Sequence, residues 1–286
     1  MKKVFKQIIN ALAYFGIFLG SSLITSLVGS FIYGFVKALQ YSNAGMDLEE
    51  LSIENSGIQG VFLLISSLLT LLILFIISKA KKSSLPKEAD IKKASVKETL
   101  LTATGAIGGM FFMNFILYYL PIPESLINDL NSGVSSLSTY PVWLAFLVNA
   151  LLVPIVEEVV FRGFIFNRLN KAMPSFVAAL ISSAIFGMAH GGIVWGIWAF
   201  AMAMIICLVR IKSGSIVPGI IFHMIINTFS VVDAYFSPLD GMTPTVMLIL
   251  TIAGGILLAV YAAGIFTDKN SPAKKKAEVI ITSEAK

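Results

Sequence analysis

Apolar residues along this chain come in long blocks separated by short polar segments. Eight blocks fall roughly at residues 8–34, 58–78, 100–120, 141–163, 174–190, 193–211, 216–236 and 244–266. A helix rises about 1.5 Å per residue, so about 20 apolar residues cross the ~30 Å of hydrocarbon in a bilayer. The pattern predicts an all-α, polytopic membrane protein with about eight transmembrane helices. Composition agrees, because 57% of the 286 residues are hydrophobic and only 13% charged, with a mean hydropathy of +0.86, far from the balance of a soluble domain. The first block follows "MKK" but is about twice the length of a signal-peptide core and has no convincing cleavage site, so it reads as a retained helix.

The polar segments differ in sign. "YSNAGMDLEELSIENS" after the first block carries Asp47, Glu49, Glu50 and Glu54 and no base, whereas "KAKKSSLPKEADIKKASVKE" after the second holds seven lysines. The third, "PIPESLINDLNSGVSSLSTY", is again only acidic. Arg162, Arg168 and Lys171 follow the fourth block, Arg210 and Lys212 the sixth, and "AKKKAE" the eighth. Basic loops mark the cytoplasmic side, so both termini are expected in the cytoplasm, in keeping with an even number of spans; Lys37 is the one dissenter, a snorkelling end residue. Topology thus accounts for the net charge of +5: anionic lipid headgroups are a sufficient partner, and no nucleic acid is called for. Residues 1–266 are read as one transmembrane domain, and 267–286, "TDKNSPAKKKAEVIITSEAK" from its first residue, as a disordered cytoplasmic tail. The lone Cys207 excludes an intramolecular disulfide and a cysteine zinc cluster. Gly16 with Gly20 and Gly192 with Gly196 have the spacing that lets helices approach closely.

Ionisable residues inside the blocks are concentrated in the fourth to seventh, as Glu157, Glu158, Arg162, His190 and His223. A charge near mid-bilayer costs at least about 2.5 kcal/mol, so such groups face a cavity and pair with one another. Glu158 and Arg162, four apart, share a helix face and can pair directly; Glu157 points about 100° away and has no local partner. In "AIFGMAHGG", Phe186 and His190 share a face and the double glycine ends or bends the helix. In "PGIIFHMIIN", His223 and Asn227 are likewise one turn apart. If the fourth block stays helical to about Lys171 and turns near Met173 and Pro174, Glu157 and His190 each lie ~25 Å from the turn, level on adjacent antiparallel helices. Four polar groups converging in a wet cavity suit the activation of water. A carboxylate can act as general base, while His and Asn bind a metal or stabilise an oxyanion. Ser182 and Ser183 lack the spacing of a serine nucleophile.

Taken together, "EEVVFR", "FGMAH" and "HMIIN" resemble, in order, the EExxxR, FxxxH and HxxxN motifs of the CPBP family, also called Abi, which groups CAAX prenyl endopeptidases with bacteriocin-processing and self-immunity proteins. The motif-bearing core covers 141–230. The resemblance implies an intramembrane endopeptidase whose cavity opens to the cytoplasm, while the low cysteine content and lysine-rich loops suit a bacterial inner-membrane protein, for which a membrane-embedded or lipid-associated peptide substrate is expected. By position, Glu157 would activate water, His190 would hold it or help deprotonate it, and His223 with Asn227 would stabilise the oxyanion; Glu158 and Arg162 would support them. Family members are commonly named metalloproteases, and Glu157, His190 and His223 are three candidate zinc ligands. Asn227 is a poor zinc ligand, which favours a reading that requires no cofactor. Two other functions fit buried polar groups: a non-catalytic bacteriocin-immunity or scaffold protein, and a transporter or proton relay. The absence of an internal repeat counts against transport.

Overall fold

A computed structural model describes residues 2–44, 57–128, 136–238 and 241–267, and among these it contains helices and no strand. The longer helices are α1 (Lys2–Ala44), α2 (Ile58–Ala80), the short α3 (Leu85–Glu88), α4 (Val96–Tyr119), α5 (Val142–Leu169), α6 (Ser175–Met188), α7 (Ile193–Ser213), α8 (Val217–Phe236) and α9 (Pro244–Thr267). All eight apolar blocks are helical. Seven of these helices are long and apolar enough to cross a membrane, and α6, with 14 residues, is not. Its limits are set by Pro174, which occupies the N-cap, and by the "HGG" stretch, where Gly191 takes a left-handed φ of 75° and ends the helix. The acidic segment after α1 and the polar tail lie outside the described residues.

Helix α5 is the axis of the fold. Its most apolar stretch is 67% buried, whereas those of the other spanning helices range from 17% to 44%. It runs unbroken from Val142 to Leu169 but widens to π geometry over Phe146–Leu152 and Glu158–Ile165. The first widening has a local cause. Pro154 lacks an N–H, and in α geometry its ring would clash with the carbonyl of Ala150. In the π register the Val153 N–H reaches Val148 O, and the next carbonyl, that of Asn149, would find only the Pro154 nitrogen. Asn227 of α8 fills the gap: its Nδ2 donates to Asn149 O at 2.9 Å. The Asn149 side chain in turn donates to the Tyr140 hydroxyl, just outside the membrane segment, where burial pushes the phenol pKa up.

Close approaches occur at glycines, not always those expected from spacing. A Cβ on Gly187 would lie 2.6 Å from Gly196 O, so α6 and α7 meet backbone to backbone. Gly196 is thus used, with Gly187 as its counterpart. Among the described residues a Cβ on Gly16 or Gly20 would have nothing within 4 Å, so this pair packs against no described helix.

One end of the bundle gathers basic residues. The lysine-rich segment after α2 is no free loop but folds onto the ends of α5 and α7. Arg168 reaches Glu88 at 2.9 Å and Arg210 reaches Asp90 at 2.5 Å, while Asn167 donates to Asp90 at 3.0 Å. Ala89 is fully buried beneath Gly163, where any Cβ would come within 2.7 Å of it.

Candidate active site

The second π stretch of α5 carries the motif "EEVVFRG". Within it Arg162 Nη1 lies 3.0 Å from Glu158 Oε1, with side chains 1% and 0% exposed. The guanidinium also sits over the Phe186 ring, 4.6 Å from its centre, which compensates part of its burial in an otherwise apolar wall. Helix α8 brings His223 to the same place: Nδ1 is 3.0 Å from Glu158 Oε1 and Nε2 is 3.6 Å from Glu157 Oε2. Glu157 thus has His223 as a neighbour, beyond hydrogen-bond reach. Consecutive helical residues point only about a quarter-turn apart, so one ring from a neighbouring helix can reach both carboxylates.

His223 Nδ1 is within hydrogen-bond reach of Glu158, whereas Nε2 faces Glu157 from beyond it.

Gly219 makes the approach possible. It lies one turn before His223, and a Cβ there would meet Ile206 at 2.7 Å and Glu158 Oε2 at 3.3 Å. A larger residue would force α8 away from α5. Neither Gly219 nor Asn149 is singled out by the sequence motifs. The available signal for Gly219 was its four-residue spacing from His223.

Phe186 of α6 is the hub of the aromatic packing. Its ring centre lies 4.4 Å from that of His190, 5.9 Å from His223 and 4.9 Å from Phe161. The two imidazoles therefore lie against one phenyl ring. His190 sits just beyond the end of α6, half-buried, with Nδ1 2.8 Å from Phe186 O. Four of the six candidate residues, Glu157, Glu158, Arg162 and His223, form a continuous chain of polar contacts. His190 joins it through Phe186, and Asn227 continues it one turn along α8. The two serines of α6 are structural: Ser182 donates to Phe161 O at 3.1 Å, and Ser183 donates to the Cys207 thiol at 3.7 Å.

The zinc set of Glu157, His190 and His223 does not fit this arrangement. Among the described residues no three His, Cys, Asp or Glu side chains gather as a metal site requires. Both His223 nitrogens already face carboxylates, and one His190 nitrogen is engaged with a backbone carbonyl.

Residues 139–229, which contain all of these groups, match the family described as Type II CAAX prenyl endopeptidase Rce1-like. This match and the relatives below support a place in the CPBP family. The chain is 27% identical over 181 residues to the "Putative membrane peptidase YdiL" of Bacillus subtilis, covering 61% of this chain and 71% of that protein. It is 28% identical over 130 residues to the UPF0177 protein YxdF of Lactococcus lactis, covering 43% and 72%. The membrane-embedded CAAX protease MroQ of Staphylococcus aureus is 30% identical over 104 residues, or 34% of this chain and 41% of MroQ. No solved structure matches significantly. Seven described helices long and apolar enough to cross a membrane, together with bacterial relatives named as membrane peptidases, mark a multi-pass bacterial membrane protein.

Proposed function

We propose that this protein is an intramembrane endopeptidase that cleaves a membrane-associated or hydrophobic peptide with water activated by Glu157. The observation that carries the reading is the state of that carboxylate. Glu157 is 9% exposed, its nearest charged neighbour is His223 Nε2 at 3.6 Å, beyond hydrogen-bond reach, and it borders a cavity. A buried carboxylate without a hydrogen bond has lone pairs free for water.

In this reading Glu157 accepts a proton from water as the oxygen attacks the scissile carbonyl. It then returns the proton to the departing amine. Glu158, held by Arg162, fixes the His223 ring through Nδ1, so that Nε2 faces the reacting oxygens. His223, with the amide hydrogen of Asn227 not given to Asn149, stabilises the oxyanion, and His190 flanks the site on Phe186 without bordering the cavity beside Glu157. The basic end of the bundle, with Arg168 and Arg210, faces the cytoplasm. Support comes from the family match and from the contacts of the four linked residues.

The test is comparative peptidomics of membranes from cells carrying the wild type or Glu157→Gln. Peptides that appear only with the wild type are expected. Identical peptide sets, with an immunity phenotype intact in both, would favour a non-catalytic role.

A further inference from the structure

Most of the catalytic groups lie on α5, α6 and α8, within the family-matched segment. The cavity beside Glu157 opens on the other side, toward α1 and α2. Its water-sized space is about 30 Å³, and besides Glu157 it is bordered by the hydroxyls of Ser22, Ser66, Ser67 and Thr70 and by Val156. A polar space of 10–15 Å³ suffices for one water, so this one accommodates about two.

The hydroxyls are not scattered. Leu63, Ser66, Ser67 and Thr70 follow the i, i+3, i+4, i+7 spacing of one helix face. They lie in the middle of a helix with a mean hydropathy of 2.9, and Ser66, Ser67 and Thr70 are only 4%, 5% and 1% exposed. Ser66 and Thr70 donate to the carbonyls of Leu63 and Ser66, at 3.1 and 2.9 Å, which leaves their oxygens as acceptors. Among the described residues the Ser22 and Ser67 hydroxyls have no protein partner. Ser66 and Thr70 are satisfied within α2, so of the three buried hydroxyls Ser67 is the one left to a polar occupant.

We propose that this cavity holds the water that Glu157 activates, with Ser67 and Ser22 as positioning residues that orient it. The inference rests on the peptidase reading for the role of the water, but not for its presence. A water there has Glu157 as acceptor and the two free hydroxyls as further partners, within the two to four that a buried water needs. α1 and α2, outside the matched segment, thereby become part of the catalytic apparatus, since they present the nucleophile to the site.

Two measurements test this separately from the peptidase reading. The first is radiolytic hydroxyl-radical labelling of the purified full chain in detergent with 18O water. Val156, 1% exposed, should be labelled several-fold more than Val160, 0% exposed and away from the cavity. The excess should persist in Glu157→Gln and vanish in Ser67→Leu, which fills the space. Equal labelling of Val156 and Val160 in the wild type would mean a dry cavity and overturn the proposal, whatever the activity. The second uses the isosteric pair Ser67→Val and Ser67→Thr with an internally quenched hydrophobic peptide. The valine variant should lose about tenfold in kcat with KM within twofold, and the threonine variant should retain kcat. Equal kcat in the two variants, or loss confined to KM, would overturn the positioning role even with a wet cavity. Undiminished activity in Glu157→Gln would instead overturn the peptidase reading, with the labelling result still deciding whether water is present.

Discussion

Glu158 and Arg162, one turn apart on α5, are paired at 3.0 Å with essentially no solvent access. Removing one partner of such a pair leaves the other charge uncompensated in a low-dielectric interior, at a cost of about 3–5 kcal/mol. Arg162→Ala is therefore expected to lower the melting temperature in detergent strongly. Arg162→Lys should recover only part of the loss, because an ammonium cannot reproduce the flat stacking on Phe186. Thermal stability of Arg162→Ala equal to the wild type would show that the pair does not form.

Glu157 differs from its neighbour in having no close hydrogen bond, so its replacement should uncouple activity from stability. Glu157→Gln keeps the shape and is expected to melt within a few degrees of the wild type while turnover falls by about 10²–10⁴-fold, the range of a lost general base. Retained turnover in the purified variant would end the general-base assignment.

Asn227 has two tasks to separate: capping the Asn149 carbonyl that Pro154 cannot reach, and donating to the reaction. Asn227→Ala should destabilise the protein by about 1–3 kcal/mol through the stranded carbonyl, and also reduce turnover. Adding Pro154→Ala supplies a backbone N–H for Asn149. Measured in that background, Asn227→Ala should cost much less stability while the loss of turnover persists. If turnover recovers along with stability, Asn227 serves structure alone.

Glycines give a comparison along the same chain. Gly219→Ala is expected to displace α8 from α7 and from Glu158 and cost about 1–3 kcal/mol together with activity, since its Cβ would meet Ile206 at 2.7 Å and Glu158 Oε2 at 3.3 Å. Gly16→Ala and Gly20→Ala, with open space around both positions, should melt as the wild type does. Thermal scans of the three variants decide this.

Metal dependence follows from the donors. His223 has both nitrogens directed at carboxylates, so exhaustive chelation is expected to leave most of the peptidase activity, and metal analysis of the purified protein should be substoichiometric. One zinc per chain, with activity lost on chelation and restored by zinc, would reverse this assignment.

The sequence by itself determined the membrane, the helices and the residues of interest. Blocks of apolar residues leave the backbone no alternative to helix in hydrocarbon, which is why all eight were legible. The i, i+4 pair of Glu158 and Arg162 was equally legible, because a contact within one helix depends on local geometry alone. The end of α6 could be read from "HGG" and its start from Pro174, and these limits leave it 14 residues long. Contacts between helices were decided only by tertiary structure. Glu157 appeared partnerless in the sequence because its neighbour, His223, is 66 positions away and is brought near by the narrow waist at Gly219. Asn227 read as a free donor because the orphaned Asn149 carbonyl exists only once α5 widens before Pro154. The hydroxyl face of α2 carries no motif, and its relation to Glu157 arises from the packing of three helices around one carboxylate. Spacing along a chain fixes what one helix presents, whereas the position of one helix against another is set by the side chains that fill, or leave open, the space between them.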